Sequence, residues 1–567
     1  MTGLMQDKAD TSVLYGTPAV PGVVAAPAIR PAPRRVRIDT GTASLAAPDR
    51  TSQAHALHRA AATVAERLRN RAAASTGAAA EVLSANAAMA TDRGWLGAAE
   101  RLIDAGASAA DAAVGAADQF AEMFSKLGGL MAERVTDLRD VCDRVLAELA
   151  GAPEPGILAP ARPSILLADD LAPADTAGLD PDLVVGLATS LGGPTSHTAI
   201  IARQLGIPCV VAVDGLDDVA AGTDILLDGS AGRVLVRPDP ETAATAVTAY
   251  RASAGRAARW TGPGATADGH RVEVLANVQD GTGAWAARRG PAEGVGLFRT
   301  ELCFLDRESE PTVEEQATRY REVLEAYPEA KVVIRTLDAG SDKPLRFAGH
   351  FDEANPALGV RGYRIAARDS GLLDRQLDAI AAAAADSGYA PWVMAPMIST
   401  AAEAQAFADR VRARGLVPGV MIEVPAAAIM AEAILEHVDF ASIGTNDLAQ
   451  YVMAADRISP QLASFTDPWQ PAVLHLVART SAAGRLLGKP VGVCGEAAAD
   501  PLLACVLAGF GITSLSAAAT AIAAVGAALA AVTIVDCRRA AAAVLSTIDP
   551  QAARAAAKSV IAGDTSW

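Results

Sequence analysis

Beyond residue 265 the chain alternates between short apolar runs and helical stretches. The runs are VEVLANV (272–278), GVGLFRTE (294–301), VVIRTLDA (332–339), VMAPMIS (393–399), GVMIEV (419–424), FASIGTND (440–447), VGVCGE (491–496) and ITSLSA (512–517). Eight βα units over about 300 residues are the signature of a closed parallel (β/α)8 barrel of the TIM type, here spanning 265–567. The first part reads differently. Residues 14–30 punctuate short strands with Gly and Pro, and stretches such as AAATVAERLRNRAAA and MAERVTDLRDVCDRVLAELA carry a helical period from about 45 to 150. Asp92, Gly94, Gly106, Gly128 and Gly129 cut that stretch into several helices. Strand patterns return in SILLADD (164–170), LVVGLA (183–188), CVVAV (209–213), DILLDG (224–229) and RVLVRP (233–238). A helical block between two β-rich pieces predicts a helical domain, 41–150, inserted into an α/β domain made of 1–40 and 151–238. A linking helix over 239–264 then leads into the barrel, which makes the chain α/β and multidomain.

Composition narrows the class. At 567 residues the chain needs more than one core. Hydrophobic residues are 51% but largely alanine, and aromatics only 4%, a mixture that favours helix and contributes little burial per residue. A net charge of −16 argues against nucleic acid or an anionic membrane surface as the main partner. No basic segment followed by an apolar run opens the sequence, so a cytoplasmic protein is expected. The stretch between Asp500 and Asp536 carries no charge, but Pro501, Gly509, Gly511, Thr513, Ser514 and Ser516 interrupt it. A membrane span needs about 20 strongly apolar residues, so the stretch reads as a buried strand followed by an Ala-rich helix. Cys142, Cys209, Cys303, Cys494, Cys505 and Cys537 lack paired spacing and imply neither a zinc site nor a disulfide framework.

The candidate chemistry begins with GGPTSHTAIIAR (192–203), which follows a strand and opens a helix. Gly192 and Gly193 permit close backbone approach, and Thr195 and Ser196 stand at the helix start. His197 falls near the positive end of the helix dipole, where backbone N–H groups can hold an anion. A histidine in that position more often serves only local hydrogen bonding; its Gly-Gly-x-Thr-Ser context favours a phosphate carrier. In the barrel, Arg299, Arg335, Glu423, Asn446, Asp447 and Cys494 fall at the carboxyl ends of strands. A planar guanidinium binds phosphate or carboxylate at two points. Two carboxylates on neighbouring strand ends suit a magnesium ion, which takes one or two carboxylates along with waters and substrate oxygens.

These motifs together resemble the phosphohistidine enzymes that use phosphoenolpyruvate: enzyme I of the bacterial sugar phosphotransferase system, pyruvate phosphate dikinase and phosphoenolpyruvate synthase. The resemblance implies that His197 is the phosphorylated residue and that Thr176 hydrogen-bonds it. It implies that Arg299, Arg335 and Arg361, in EGVGLFRTELCFLDR, IRTLDAGSDK and NPALGVRGYR, bind phosphoenolpyruvate. It makes Glu423 of MIEVPAAA and Asp447 of SIGTNDLAQYVMAADR the Mg²⁺ ligands, with Asn446, the Asp447 backbone and Arg457 on the substrate. Cys494, in VGVCGEAAADP, becomes the acid that protonates the enolate of pyruvate; Cys303 and Cys505 have no such support. The sequence departs from the family pattern at Pro194, at Ser341 and in SLS at 514–516.

Among these relatives the dikinase and the synthase carry a nucleotide-binding domain ahead of the phosphohistidine segment. The residues before it here are mostly helical and contain no Gly-rich phosphate loop. The resemblance therefore favours the enzyme I type, in which the helical block binds the carrier protein HPr and the barrel forms a homodimer. Synthase-like chemistry and a regulatory relative without turnover are the other readings.

Overall fold

The computed structural model describes residues 11–31, 47–74, 78–127, 129–152, 160–169, 171, 179–193, 197–305, 307–340, 345, 347, 353–367, 369–385, 390–457 and 459–561. The chain divides into two units, Met1–Tyr250 and Arg251–Trp567, and the division falls inside the helix Pro240–Arg259.

In the first unit, the strands are β1 (Ser12–Tyr15), β2 (Thr17–Val20), β3 (Val23–Ile29), β4 (Ser164–Ala168), β5 (Val184–Thr189), β6 (Cys209–Val211), β7 (Asp224–Asp228) and β8 (Arg233–Val236). They form one sheet in the order β1-β8-β7-β3-β4-β5-β6-β2. β3 joins its halves: Val23–Pro27 pair antiparallel with β7, and Ala28 and Ile29 pair parallel with β4. Between β3 and β4 run the helices Ala47–Ala74, Ala78–Ala90, Arg93–Asp104, Ala109–Leu127 and Gly129–Ala150. Small side chains let these helices approach closely; Ala61, Ala65, Ala99, Ala113 and Ala116 are buried around Leu57, Val64, Leu68 and Trp95. Asp92 caps the third of them by accepting from the Gly94 and Trp95 amides, and the buried Trp95 indole donates to the Met89 carbonyl at 2.7 Å.

The second unit closes eight parallel strands into a barrel: β9 (Glu273–Val278), β10 (Val295–Arg299), β11 (Val332–Arg335), β12 (Trp392–Ala395), β13 (Val417–Ile422), β14 (Phe440–Gly444), β15 (Val491–Cys494) and β16 (Ser514–Ala517), with β16 returning to β9. Each strand expected from an apolar run is present, and most end earlier than the run. The ladder of β14 stops at Gly444, so Asn446 and Asp447 sit in the first turn of the helix Thr445–Met453 instead of on a strand end. Thr312, Thr400 and Thr533 start their helices with reciprocal capping boxes to Glu315, Glu403 and Asp536. The uncharged stretch 501–535 forms a helix, Pro501–Phe510, then β16, then the Ala-rich helix Ala519–Ala530. No single helix among the described residues is long and apolar enough to cross a membrane.

Candidate functional site

The carboxyl end of the barrel gathers five of the residues picked out by sequence, Arg335, Arg361, Glu423, Asp447 and Arg457, into one charged network. Arg335, the last residue of β11, is buried. Its Nη2 pairs with Glu301 and its Nη1 lies 3.0 Å from Asp338 Oδ2, while its Nε has no hydrogen-bond partner among the described residues. Arg361 is also buried: Nε and Nη2 donate to the two oxygens of Asp338 at 3.0 and 3.1 Å, and Nη1 stands 3.0 Å from Asp447 Oδ1. Arg457 Nη1 donates to Asp447 Oδ2 at 3.2 Å from a more exposed position. Burial alone would weaken the charge on Arg335, but Glu301, Asp338 and Glu423 more than offset it. For Arg361 the bonds and charge of Asp338, then Asp447 and Glu423, do the same, and both pKa values rise above the ordinary arginine value. Both guanidiniums are therefore fixed cations. Arg299, half-buried at the end of β10, is the direct β-ladder partner of Arg335.

Glu423 follows β13 and is fully buried. Its Oε1 accepts from the Met397 amide at 2.7 Å, and its Oε2 has no hydrogen-bond partner among the described residues. Asp447 Oδ1 is the second orphan: it lies at ion-pair distance from Arg361 without hydrogen-bond alignment. Burial, followed by the charges of Asp447 and Asp338, pushes the Glu423 carboxyl up to about 8, against the pull of Arg335. Buried carboxylate oxygens left without donors are costly unless a cation completes them. Two hard oxygen donors on adjacent βα units fit a magnesium ion that takes its remaining ligands from water and substrate. Gly444 leaves room for the Glu423 side chain, since a Cβ there would stand 2.9 Å from its Oε2. Among the described residues no cluster of three or more His, Cys, Asp or Glu side chains is arranged as an all-protein metal cage.

Cys494 ends β15 and is buried. Burial raises its pKa, opposed by the Ser442 hydroxyl and by Arg335 and Arg299, with Glu423 acting in the same sense as burial. Asn446 reaches the same loop, accepting from the Glu496 amide at 3.1 Å. Gly495 must be glycine here: its φ is +106°, and a Cβ would press on Asn446 and Thr445.

In the first unit, His197 is the first residue of the helix His197–Leu205, held down by buried Ala199, Ile201 and Ala202. Gly192 takes φ +90° in the turn that leads to it, and Thr189 Oγ1 donates to the Leu191 carbonyl at 2.7 Å. Among the described residues, none lies within 4 Å of the place a Gly193 Cβ would take. Thr176, Pro194, Thr195, Ser196 and Ser341 lie outside the described residues.

Sequence reasoning missed Asp338 and Glu301, the two acids that hold the arginines in place, and the backbone amide of Met397. Asp338 was visible in principle, three residues beyond Arg335 in the same motif. The Met397 amide was not, because it depends on a left-handed backbone at a non-glycine residue, with φ +62°.

A closed parallel barrel with arginines and carboxylates converging at the carboxyl ends of its strands, in the same chain as an α/β unit with a histidine that follows a Gly-Gly turn, is the equipment of a phosphoryl-transfer enzyme. Three family models match the chain: the PEP-binding domain of PEP-utilising enzymes over residues 253–534, their mobile domain over 160–232 and their N-terminal domain over 15–134. It is 48% identical over 493 residues to a phosphoenolpyruvate-protein phosphotransferase of Streptomyces coelicolor, covering 86% of this chain and 88% of that one. Proteins of the same name from Haloferax volcanii and Staphylococcus carnosus are 41% and 37% identical over 74% and 73% of this chain, and 76% and 75% of theirs. The chain belongs to the phosphoenolpyruvate-protein phosphotransferase family.

Proposed function

We propose that the chain moves the phosphoryl group of phosphoenolpyruvate onto His197, releases pyruvate, and passes the group to the histidine of a carrier protein of the HPr type. The observation that carries this reading is the convergence of Arg335, Arg361, Glu423 and Asp447 in one buried network at the barrel's carboxyl end. Phosphoenolpyruvate is a trianion, and that network offers fixed cations with two acid oxygens, Glu423 Oε2 and Asp447 Oδ1, that accept no hydrogen bond from the described residues. Glu423 and Asp447 would hold Mg²⁺, which when bound neutralises charge on the moving phosphoryl group.

In this reading Arg335, Arg361 and Arg299 bind and orient phosphate and carboxylate, with Asn446 and Arg457 closing the substrate's other side. His197 attacks phosphorus in line; its position at a helix start supplies amides for the charge that arrives. Cys494 gives its proton to the methylene carbon of the departing enolate, whose collapse to pyruvate drives the transfer. The histidine and the barrel site belong to different units, so the first unit must deliver His197 to the barrel and then offer it to the carrier. The helical segment 41–150 is the proposed carrier-docking region, and the barrel the proposed homodimer surface.

The test is incubation with radiolabelled phosphoenolpyruvate and Mg²⁺. Acid-labile label should appear on the chain, move to added carrier and be absent from His197→Ala. Label retained by that variant would sink the assignment.

A further inference from the structure

Each proton that Cys494 gives to an enolate has to be replaced, and Cys494 is only 2% exposed. The barrel interior around it is apolar, built from Leu297, Val333, Met394, Met421 and Phe440. One polar seam breaks that packing. Ser442 pairs with Gly492 across the β14–β15 ladder, and Gly444 with Cys494, so the Ser442 hydroxyl stands on the same inner face as the thiol, one step nearer the amino end. The thiol donates to the Ile443 carbonyl, 3.5 Å away, and the Ser442 hydroxyl on the same face lowers the thiol's pKa against the effect of burial.

Ser442 also lines a cavity that enters the barrel from the end opposite the substrate site. Lys331, Trp392 and Pro490, all half-buried and at the amino ends of strands, frame its mouth, and Ser514 and Ser516 continue its wall. A water has about 20 Å³ in which to place its centre, enough to hold one. Glycine keeps the seam open. A Cβ at Gly492 would overlap the Ser514 hydroxyl, and one at Gly296 would overlap that of Ser516. Arg335, Arg299 and Glu423 act on the sulfur by their charge; Arg335 and Glu423 belong to the substrate network, and none of these three lines the cavity, whose one charged lining residue is Lys331 at the mouth.

We propose that Ser442 relays protons from water in this cavity to Cys494, so that the thiol is reloaded through the amino-terminal end of the barrel. The inference rests on Cys494 being the acid that protonates the enolate. After that step the sulfur carries a negative charge. The Ser442 O–H bond breaks as the S–H bond forms, and the serine oxygen takes a proton from the cavity water. That water is reprotonated from solvent at the mouth. The serine is unchanged, and one solvent proton is consumed for each enolate protonated.

The test uses the full chain with phosphoenolpyruvate, Mg²⁺ and pyruvate in deuterated water, and needs no carrier. Two rates are measured together: exchange of carbon label between pyruvate and phosphoenolpyruvate, and entry of deuterium at the methylene carbon. Carbon exchange needs the chemical step alone, because the thiol can return the proton it took. Deuterium entry also needs the thiol to equilibrate with solvent. In the native chain the two should keep pace. In Ser442→Ala deuterium entry should lag carbon exchange by on the order of tenfold or more, and Ser442→Thr, which restores a hydroxyl, should close the gap. Deuterium that keeps pace in Ser442→Ala, or both rates falling together, overturns the relay. Undiminished carbon exchange in Cys494→Ala instead overturns the acid assignment beneath it.

Discussion

Asp338 grips Arg361 at two points, Nε to Oδ1 and Nη2 to Oδ2 at 3.0 and 3.1 Å, and its Oδ2 is also 3.0 Å from Arg335. One buried carboxylate thereby sets the orientation of two guanidiniums. Asp338→Asn keeps the shape and removes the charge, leaving both cations undercompensated in the interior. Removing one partner of a buried pair costs about 3–5 kcal/mol, and misplacing a binding group by an ångström can cost roughly a hundredfold in rate. Urea unfolding should show the first loss, and kcat/KM for phosphoenolpyruvate the second.

Glu423→Gln should separate folding from cation binding. The native carboxyl is buried with one oxygen unpartnered, an arrangement that costs stability in the ligand-free chain. The neutral amide should leave the melting temperature equal or higher. The same change should weaken Mn²⁺ binding, followed by water proton relaxation, by at least about tenfold.

Gly526 reverses an ordinary expectation. Glycine within a helix usually costs about 1 kcal/mol relative to alanine, and Gly526 lies in an Ala-rich helix. Yet a Cβ at this position would run into the indole of Trp260. Gly526→Ala should therefore destabilise the barrel unit, by about 1–3 kcal/mol, and shift the Trp260 fluorescence.

Stability of the first unit should fall in alkaline solution. Burial pushes the thiols of Cys142 and Cys209 up to about 12, from an ordinary value of 9.0. Between those values the unfolded chain has lost the protons that the folded chain retains. Unfolding free energy then declines as pH rises, by up to about 1.4 kcal/mol per pH unit for each thiol; below the ordinary value the contribution is flat. Calorimetric melts of the native chain and of a Cys142→Ala, Cys209→Ala double variant, taken from neutral pH upward, should diverge above about pH 9.

The eight barrel strands were legible because each is a short apolar run between helical patterns. Arg335, Glu423 and Cys494 were legible because they stand at or just past the ends of those runs. What escaped was whatever depends on where the chain goes after the ladder ends. The pattern makes Asp447 a strand-end residue, but Gly444 stops the strand and a helical turn carries Asp447 back towards Arg361. Glu301 lies in a short 3₁₀ turn just after β10, and nothing in its local pattern marks it as the partner of Arg335, 34 residues away. The left-handed Met397 that aims its amide at Glu423 leaves no mark in composition or periodicity.

Beside Arg299, the ladder partner of Arg335, the network of Arg335, Arg361 and Arg457 among Glu301, Asp338, Glu423 and Asp447 interleaves guanidiniums with carboxyl groups before any ligand arrives. A trianion entering alone would leave such a site with an excess of negative charge, and a dication entering alone an excess of positive. The two ligands should consequently act as reciprocal effectors, each tightening the other by the same factor, as linkage requires. The dissociation constant of phosphoenolpyruvate measured across a magnesium titration, and the converse, should give one coupling free energy from both directions.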